Sequence, residues 1–236
     1  MTLLEDTPAR ALAVYAHPDD PEVSCGGTLA RWAAAGAEVR AVIACQGEKG
    51  SHDPATATAV LASERAAEAA AAADALGLAG IDLLGHPDGE LDAVIDLRAE
   101  LVGLIRAHRP DIVVCPDPTA VFFGDGYVSH VDHRTIGWAT LDAVTPAAAS
   151  PHYFPDRGAP HQVASMLLSG TLEPDTWVDI GASLDAKIAA LFAHRSQLAA
   201  DAEDWLGDFV RQRAAEEGRR TTVAHAEGFR HLRFVR

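Results

Sequence analysis

The chain has 236 residues, enough for one large domain or two small ones at roughly 150 residues each. Hydrophobic residues make up 48%, and 34 acidic side chains against 19 basic ones give a formal net charge of -15. That field repels phosphate backbones and anionic lipid heads, which argues against a nucleic-acid or membrane-surface role.

No apolar run approaches the ~18–20 residues of a membrane span. "MTLLEDTPAR" has no basic start followed by a long apolar stretch, so no signal peptide is expected. Cys25, Cys45 and Cys115 form no CxxC pair, and a reduced, cytoplasmic setting is the expectation.

In chain order, "RALAVYA" (10–16) and "EVRAVIAC" (38–45) read as strands, being short, apolar and β-branched. Between them, residues 24–36 read as a helix that stops at Gly36. Residues 56–78 form a long alanine-rich helix ending near Gly77. Residues 80–85 are a short strand. Residues 91–110 are an amphipathic helix closed by Pro110, and residues 111–118 are a strand cut off by prolines. This βαβαβαβ alternation implies a parallel sheet covered on both faces.

The later chain is less regular. Residues 119–130 read as a loop with two glycines and three aromatics, residues 132–145 as a helix and residues 150–161 as a proline-rich loop. "QVASMLLSG" and "TWVDI" read as strands, residues 183–198 as a helix, "EDWLGDFVRQRAAEEG" as more helix and "FRHLRFV" as a last strand. The expected fold class is α/β, a Rossmann-like three-layer sandwich with a mostly parallel sheet. A single domain over 1–236 is expected, with a core at about 10–145 and a C-terminal α/β extension at about 160–236.

Two His/Asp clusters stand out. "HPDDPE" follows the first of these strands and carries His17, Asp19, Asp20 and Glu22; "SHVDH" follows the fourth and carries His130, Asp132 and His133. In open parallel sheets the ligand sits beyond the carboxyl ends of the strands, where strand order reverses. Both clusters fall at that end. Taken singly, each reads as a turn or a helix cap. Together they match the donors of a catalytic zinc, which takes three His or carboxylate ligands and keeps a place for water. A carboxylate off the metal can then take the water's proton, and a His off the metal can donate one.

Other features are weaker. "CGGT" lacks the spacing of a phosphate-binding loop, and Cys25 reads as a small hydrophobe. Arg65 and Glu68, at i and i+3, read first as a surface ion pair. Asp88 reads as a turn residue, with substrate contact as a second reading, and Glu48 follows the second strand at the same sheet edge. His194 reads as a surface or packing residue.

"AHPDDPEVSCGGTLARWAAAGAEV" resembles the first motif of the PIG-L/LmbE-like family of zinc-dependent N-deacetylases, and "HVDH" resembles the second. "CQGEKG", "RAAEAAAAADALG", "RPDIVVCPDP", "VDIGASLDAKIAALFAHRSQ" and "AEGFR" extend the resemblance over roughly residues 10–230. It implies that His17, Asp20 and His133 bind Zn2+, with Fe2+ as an alternative, and that Asp19 is the general base. It makes His130 the general acid or oxyanion stabiliser, held by Asp132, and makes Arg65, Asp88 and Glu48 sugar contacts. The implied substrate is a small amino-sugar conjugate losing an N-acetyl group, with no nucleic-acid or membrane partner and with homo-oligomers allowed. The readings kept beside it are an amidase acting on a larger amide of a glucosamine-containing thiol conjugate and a non-catalytic, metal-dependent sugar binder. The segment 119–130 is expected to fold over the substrate, with Gly124 and Gly126 as hinges.

Overall fold

Apolar residues run without interruption through the central strands because both faces of the sheet are covered. In the computed structural model, which describes residues 2–234, Ala11, Ala13 and Tyr15 pack on one side of the sheet and Leu12, Val14 and Ala16 on the other. Each strand therefore feeds two cores through its period-2 alternation.

The strands are β1 (Thr2–Leu3), β2 (Arg10–Tyr15), β3 (Glu38–Cys45), β4 (Gly80–His86), β5 (Ile112–Pro116), β6 (Phe122–Phe123), β7 (Tyr127–Val128), β8 (Ser165–Ser169), β9 (Thr176–Asp179) and β10 (Ala226–Arg233). The helices are α1 (Asp20–Ala34), α2 (Thr58–Leu76), α3 (Ile95–His108), α4 (Val131–Asp142), α5 (Leu184–Ala193) and α6 (Ala202–Gly218). The main sheet has the order β1-β9-β10-β8-β5-β2-β3-β4. Its block β8-β5-β2-β3-β4 is parallel, and β10 runs antiparallel to both β8 and β9. One face carries α1, α5 and α6, and the other carries α3 and α4. This is the expected three-layer α/β fold. None of the described helices is long and apolar enough to cross a membrane.

Several boundaries differ from expectation. Helix α1 starts at Asp20 rather than residue 24, because Pro21 sits in its first turn, where a missing N–H costs nothing. Helix α3 ends at His108, closed by Arg109 in the left-handed conformation ahead of Pro110. The segment expected as a loop at 119–130 contains the hairpin β6–β7. The short β1 pairs in parallel with β9 and is too brief to show a periodicity. The last strand is present as β10, but Val235 of the expected stretch lies outside the described residues.

Strand order reverses between β2 and β5, which pair in parallel through Ala11–Ile112, Leu12–Val113 and Ala13–Val114. The segments after these two strands, 17–20 and 130–133, therefore meet over one crevice. Close packing of α4 on β5 fixes the second segment. A Cβ on Gly137 would lie 2.7 Å from the Pro116 carbonyl oxygen and 3.0 Å from the Pro118 ring. Gly137→Ala should therefore destabilise the protein by about 1–3 kcal/mol, read as a lower urea midpoint at unchanged slope. An unchanged midpoint would mean that α4 has room to move.

Candidate metal centre

Tyr15 ends β2, and the chain then turns sharply into α1. The His17 backbone N–H donates to Asp20 Oδ2 at 2.8 Å, and the Asp20 N–H donates to the His17 carbonyl at 3.3 Å. Asp19, between them, has φ 99 and ψ −27, a left-handed conformation that costs a non-glycine residue about 1–3 kcal/mol. Arg65 reaches across from α2 to hold this turn. Its Nη2 donates to the Pro18 carbonyl at 2.6 Å and to Asp19 Oδ2 at 3.1 Å, while Nη1 donates to the Gly47 carbonyl at 2.9 Å. The two neighbouring carboxylates thus take different partners: Asp19 faces Arg65 and Asp20 faces two imidazoles.

The second cluster opens α4. His130 is its N-cap, and His130 Nδ1 accepts from the Asp132 N–H at 3.3 Å. His133 Nε2 lies 3.1 Å from Asp20 Oδ1 and 3.2 Å from His17 Nδ1. His17 Nδ1 lies 3.5 Å from Asp20 Oδ2. These separations, which use Asp20 Oδ1 toward His133 and Oδ2 toward His17, lie near the roughly 3.3 Å edge of a tetrahedron with metal–ligand bonds of about 2.0–2.1 Å. Two imidazoles and one carboxylate at this spacing fit a zinc or ferrous ion.

The other ring nitrogen of His17 faces a second pair of carboxylates. His17 Nε2 lies 3.1 Å from Asp132 Oδ2 and 3.2 Å from Asp88 Oδ1. Imidazole nitrogens of His17, His130 and His133 come within 4.8 Å of one another, as do donors of His17, Asp88, His130 and Asp132. The His17–Asp20–His133 set differs from both of these groupings, with Asp20 turning Oδ1 to His133 and Oδ2 to His17. Asp132 is fully buried and already accepts from the backbone N–H groups of Gly89 at 2.7 Å and Leu91 at 3.2 Å. A carboxylate held this way is suited to orienting a ligand.

The charges follow from this packing. Burial opposes a charge on His17, but hydrogen bonds and attraction from Asp20 and Asp88 outweigh it and raise its pKa to about 10. Burial likewise pushes Asp20 up, yet its contacts with His133 and His17 hold it well below the usual carboxylate range. Asp19 goes the other way. Burial first, then the Asp20 charge, raise it to about 7 against the pull of Arg65. Burial, then the neighbouring His17 charge, lower His130. In the absence of a metal, a proton on His17 does the work of a cation among carboxylates, and metal binding would displace it.

Of the expected sugar contacts, Arg65 and Asp88 line the cavity and Glu48 stands behind Asp88. Arg65 is buried, and its guanidinium is engaged by Pro18, Gly47 and Asp19. It makes no ion pair with Glu68, which is turned inward and accepts from Ser196 N and Oγ, each at 2.7 Å. Glu48 accepts from the Asp88 N–H at 3.1 and 3.2 Å, so it shapes the Asp88 turn from behind. Asp88 does line the cavity, but one of its oxygens is engaged by His17. Asp132, expected to hold His130, lies closer to His17: its Oδ2 is 3.9 Å from His130 Nδ1, and its backbone N–H makes that contact instead.

The cavity measures about 500 Å³ and is also lined by Lys49 and Tyr127, neither of them singled out by the sequence reading. Lys49 lies beside Glu48 at the same strand end, and Tyr127 lies in the glycine-rich segment between the second cluster and β5. Position at the sheet edge was the available signal for both. Glu22 and His194 are buried against each other, Glu22 Oε2 lying 3.4 Å from His194 Nε2. "CGGT" holds no phosphate-type site, because the Glu227 carboxylate takes the N–H groups of Gly27 and Thr28. Cys25 is fully buried, and burial pushes its thiol pKa far up, so it is no activated nucleophile.

In metal-free protein, the Asp19 carboxyl should titrate near 7, well above the ordinary ~3.9, by carbon-detected NMR. Arg65→Met removes the cation on α2 that stabilises its anion, so the midpoint should move higher still. A wild-type midpoint below about 5 would contradict the burial argument.

The family described as PIG-L, GlcNAc-PI de-N-acetylase, matches residues 12–144, which span both clusters. Diacetylchitobiose deacetylase of Thermococcus kodakarensis is 30% identical over 226 residues, covering 94% of this chain and 83% of that protein. The 1D-myo-inositol 2-acetamido-2-deoxy-alpha-D-glucopyranoside deacetylase of Rhodococcus jostii is 33% identical over 254 residues, covering 80% of this chain and 82% of that protein. The structure of N,N'-diacetylchitobiose deacetylase from Pyrococcus horikoshii, in complex with its inhibitor MPG, superposes with a TM-score of 0.86 at 29% identity, covering 96% of this chain and 84% of that one. With the fold, the crevice and both motifs in agreement, this chain belongs to the PIG-L family.

Proposed function

We propose that the protein is a metal-dependent hydrolase that removes the N-acetyl group from an N-acetylglucosaminyl conjugate. The observation that carries this reading is the separation of Asp19 from Asp20. A site built only to bind a metal and a sugar needs the three donors. It does not need a second carboxylate held off them, at a cost in backbone strain, with its pKa raised toward neutrality. The relatives named above, deacetylases of acetamido sugars, support the same substrate class.

When bound by His17, Asp20 and His133, a zinc or ferrous ion would supply Lewis acidity and an activated water. Asp19 accepts the proton of the attacking water as its oxygen adds to the acetamide carbonyl carbon. Neutral His130 carries its proton on Nε2, because Nδ1 accepts from the Asp132 N–H. The His130 Nε2–H donates to the developing oxyanion. The C–N bond then breaks, the proton held by Asp19 passes to the leaving nitrogen, and acetate and a free amine depart. Asp132 and Asp88 keep His17 turned with Nδ1 toward the donor set. Lys49, Asp88 and Tyr127 offer polar contacts to sugar hydroxyls, and hairpin β6–β7 is the segment proposed to close over them.

Mass-spectrometric screening of N-acetylglucosaminyl conjugates should show loss of one acetyl group, dependent on added zinc or ferrous iron. Asp19→Asn should keep about one equivalent of metal while kcat falls by about 10²–10⁴. Asp20→Ala should lose metal and activity together. The reverse pattern would exchange the two roles, and no acetyl loss under either metal would overturn the proposal.

A further inference from the structure

Helix α1 is not continuous. Cys25 has φ −148 and ψ 17, which breaks the helix after its first turn and detaches Asp20–Ser24 from the run that begins at Gly26. Such a break strands carbonyls on one side and N–H groups on the other. An unbroken helix would bond the Gly27 N–H to the Val23 carbonyl. Here a buried ion pair stands between them. Lys187 Nζ donates to the Val23 carbonyl at 2.9 Å, and the Gly27 N–H donates to Glu227 Oε1 at 3.0 Å. Lys187 and Glu227 meet each other at 2.6 Å. Glu227 Oε2 also accepts from Thr28 N at 2.8 Å and Thr28 Oγ1 at 2.6 Å.

Both side chains come from distant elements, Lys187 from α5 and Glu227 from β10, and neither lines the metal-site cavity. A buried ion pair is weak support for stability, since an apolar replacement often serves as well. What this pair does have is a place. It caps the end of the turn that carries Asp20 and the start of the helix behind it.

The structure assigns Lys187 and Glu227 as positioning residues for the metal site: they hold the detached first turn of α1 where Asp20 meets His17 and His133. This rests on the donor set proposed above. It also gives the "LDAK" and "AEGFR" segments a shared task, because each supplies one half of the clamp.

The test compares Lys187→Met with the double variant Lys187→Met/Glu227→Gln, using zinc affinity by chelator competition, urea unfolding, kcat and KM. The single variant leaves Glu227 buried without its partner and should lose stability; the double variant leaves no unpaired charge and should recover much of it. Neither restores the cap on Val23. Zinc affinity should therefore fall by about 10–100-fold in both, with kcat reduced and KM little changed. If affinity and kcat return along with stability in the double variant, or never fall, the pair is only structural and the assignment is overturned. Asp20→Ala serves as the control. If it retains zinc, the donor set itself is wrong, which is a separate failure.

Discussion

Every group at the centre is placed relative to the imidazole of His17, whose two nitrogens face different sets of partners. Nδ1 looks toward Asp20 and His133, and Nε2 toward Asp132 and Asp88. One ring therefore couples a donor set to the carboxylates that orient it. Asp132 is the anchor of that arrangement. It is fully buried, pinned by two backbone N–H groups of the loop after β4 and carried on α4. His17 thus ties together the ends of three strands: β2, which it follows, β4 through Gly89 and Leu91, and β5 through α4.

The sheet makes this meeting possible. The reversal of strand order between β2 and β5 opens the crevice, and both faces of the sheet behind it are packed. Within that frame the difference between Asp19 and Asp20 is a matter of backbone. A left-handed residue at Asp19 turns one carboxylate toward Arg65 and leaves its neighbour to the imidazoles. The strain is local, and the Arg65 contacts to the Pro18 carbonyl and the Asp19 carboxylate offset the cost. Arg65, expected as a sugar contact, lines the cavity and also supports the proposed base.

Much of this was legible in the sequence, for a physical reason. Continuous apolar runs between helices of crossover length specify a parallel sheet, and motifs at strand ends inherit their position from it. Hence the fold class and the convergence of residues 17–20 with 130–133 could be read directly. What could not be read depends on long-range partners. Arg65 and Glu68 have the spacing of a surface pair, yet their partners are Asp19, Pro18 and Gly47 for the one and Ser196 for the other. Glu48 and Asp88 stand 40 residues apart in the chain and meet through a backbone N–H, which no side-chain pattern encodes. The break at Cys25 is invisible for the same reason: the groups that take up its freed backbone partners are Lys187 and Glu227.

The account turns on which donors hold the metal. Anomalous diffraction at the zinc edge, on crystals grown with zinc, tests this most directly. The account predicts one strong peak among His17 Nδ1, Asp20 and His133 Nε2, with the Asp19 carboxylate beside it and not bound to it. A peak centred instead among His17, Asp88, His130 and Asp132, the other cluster of donors in the crevice, would contradict it.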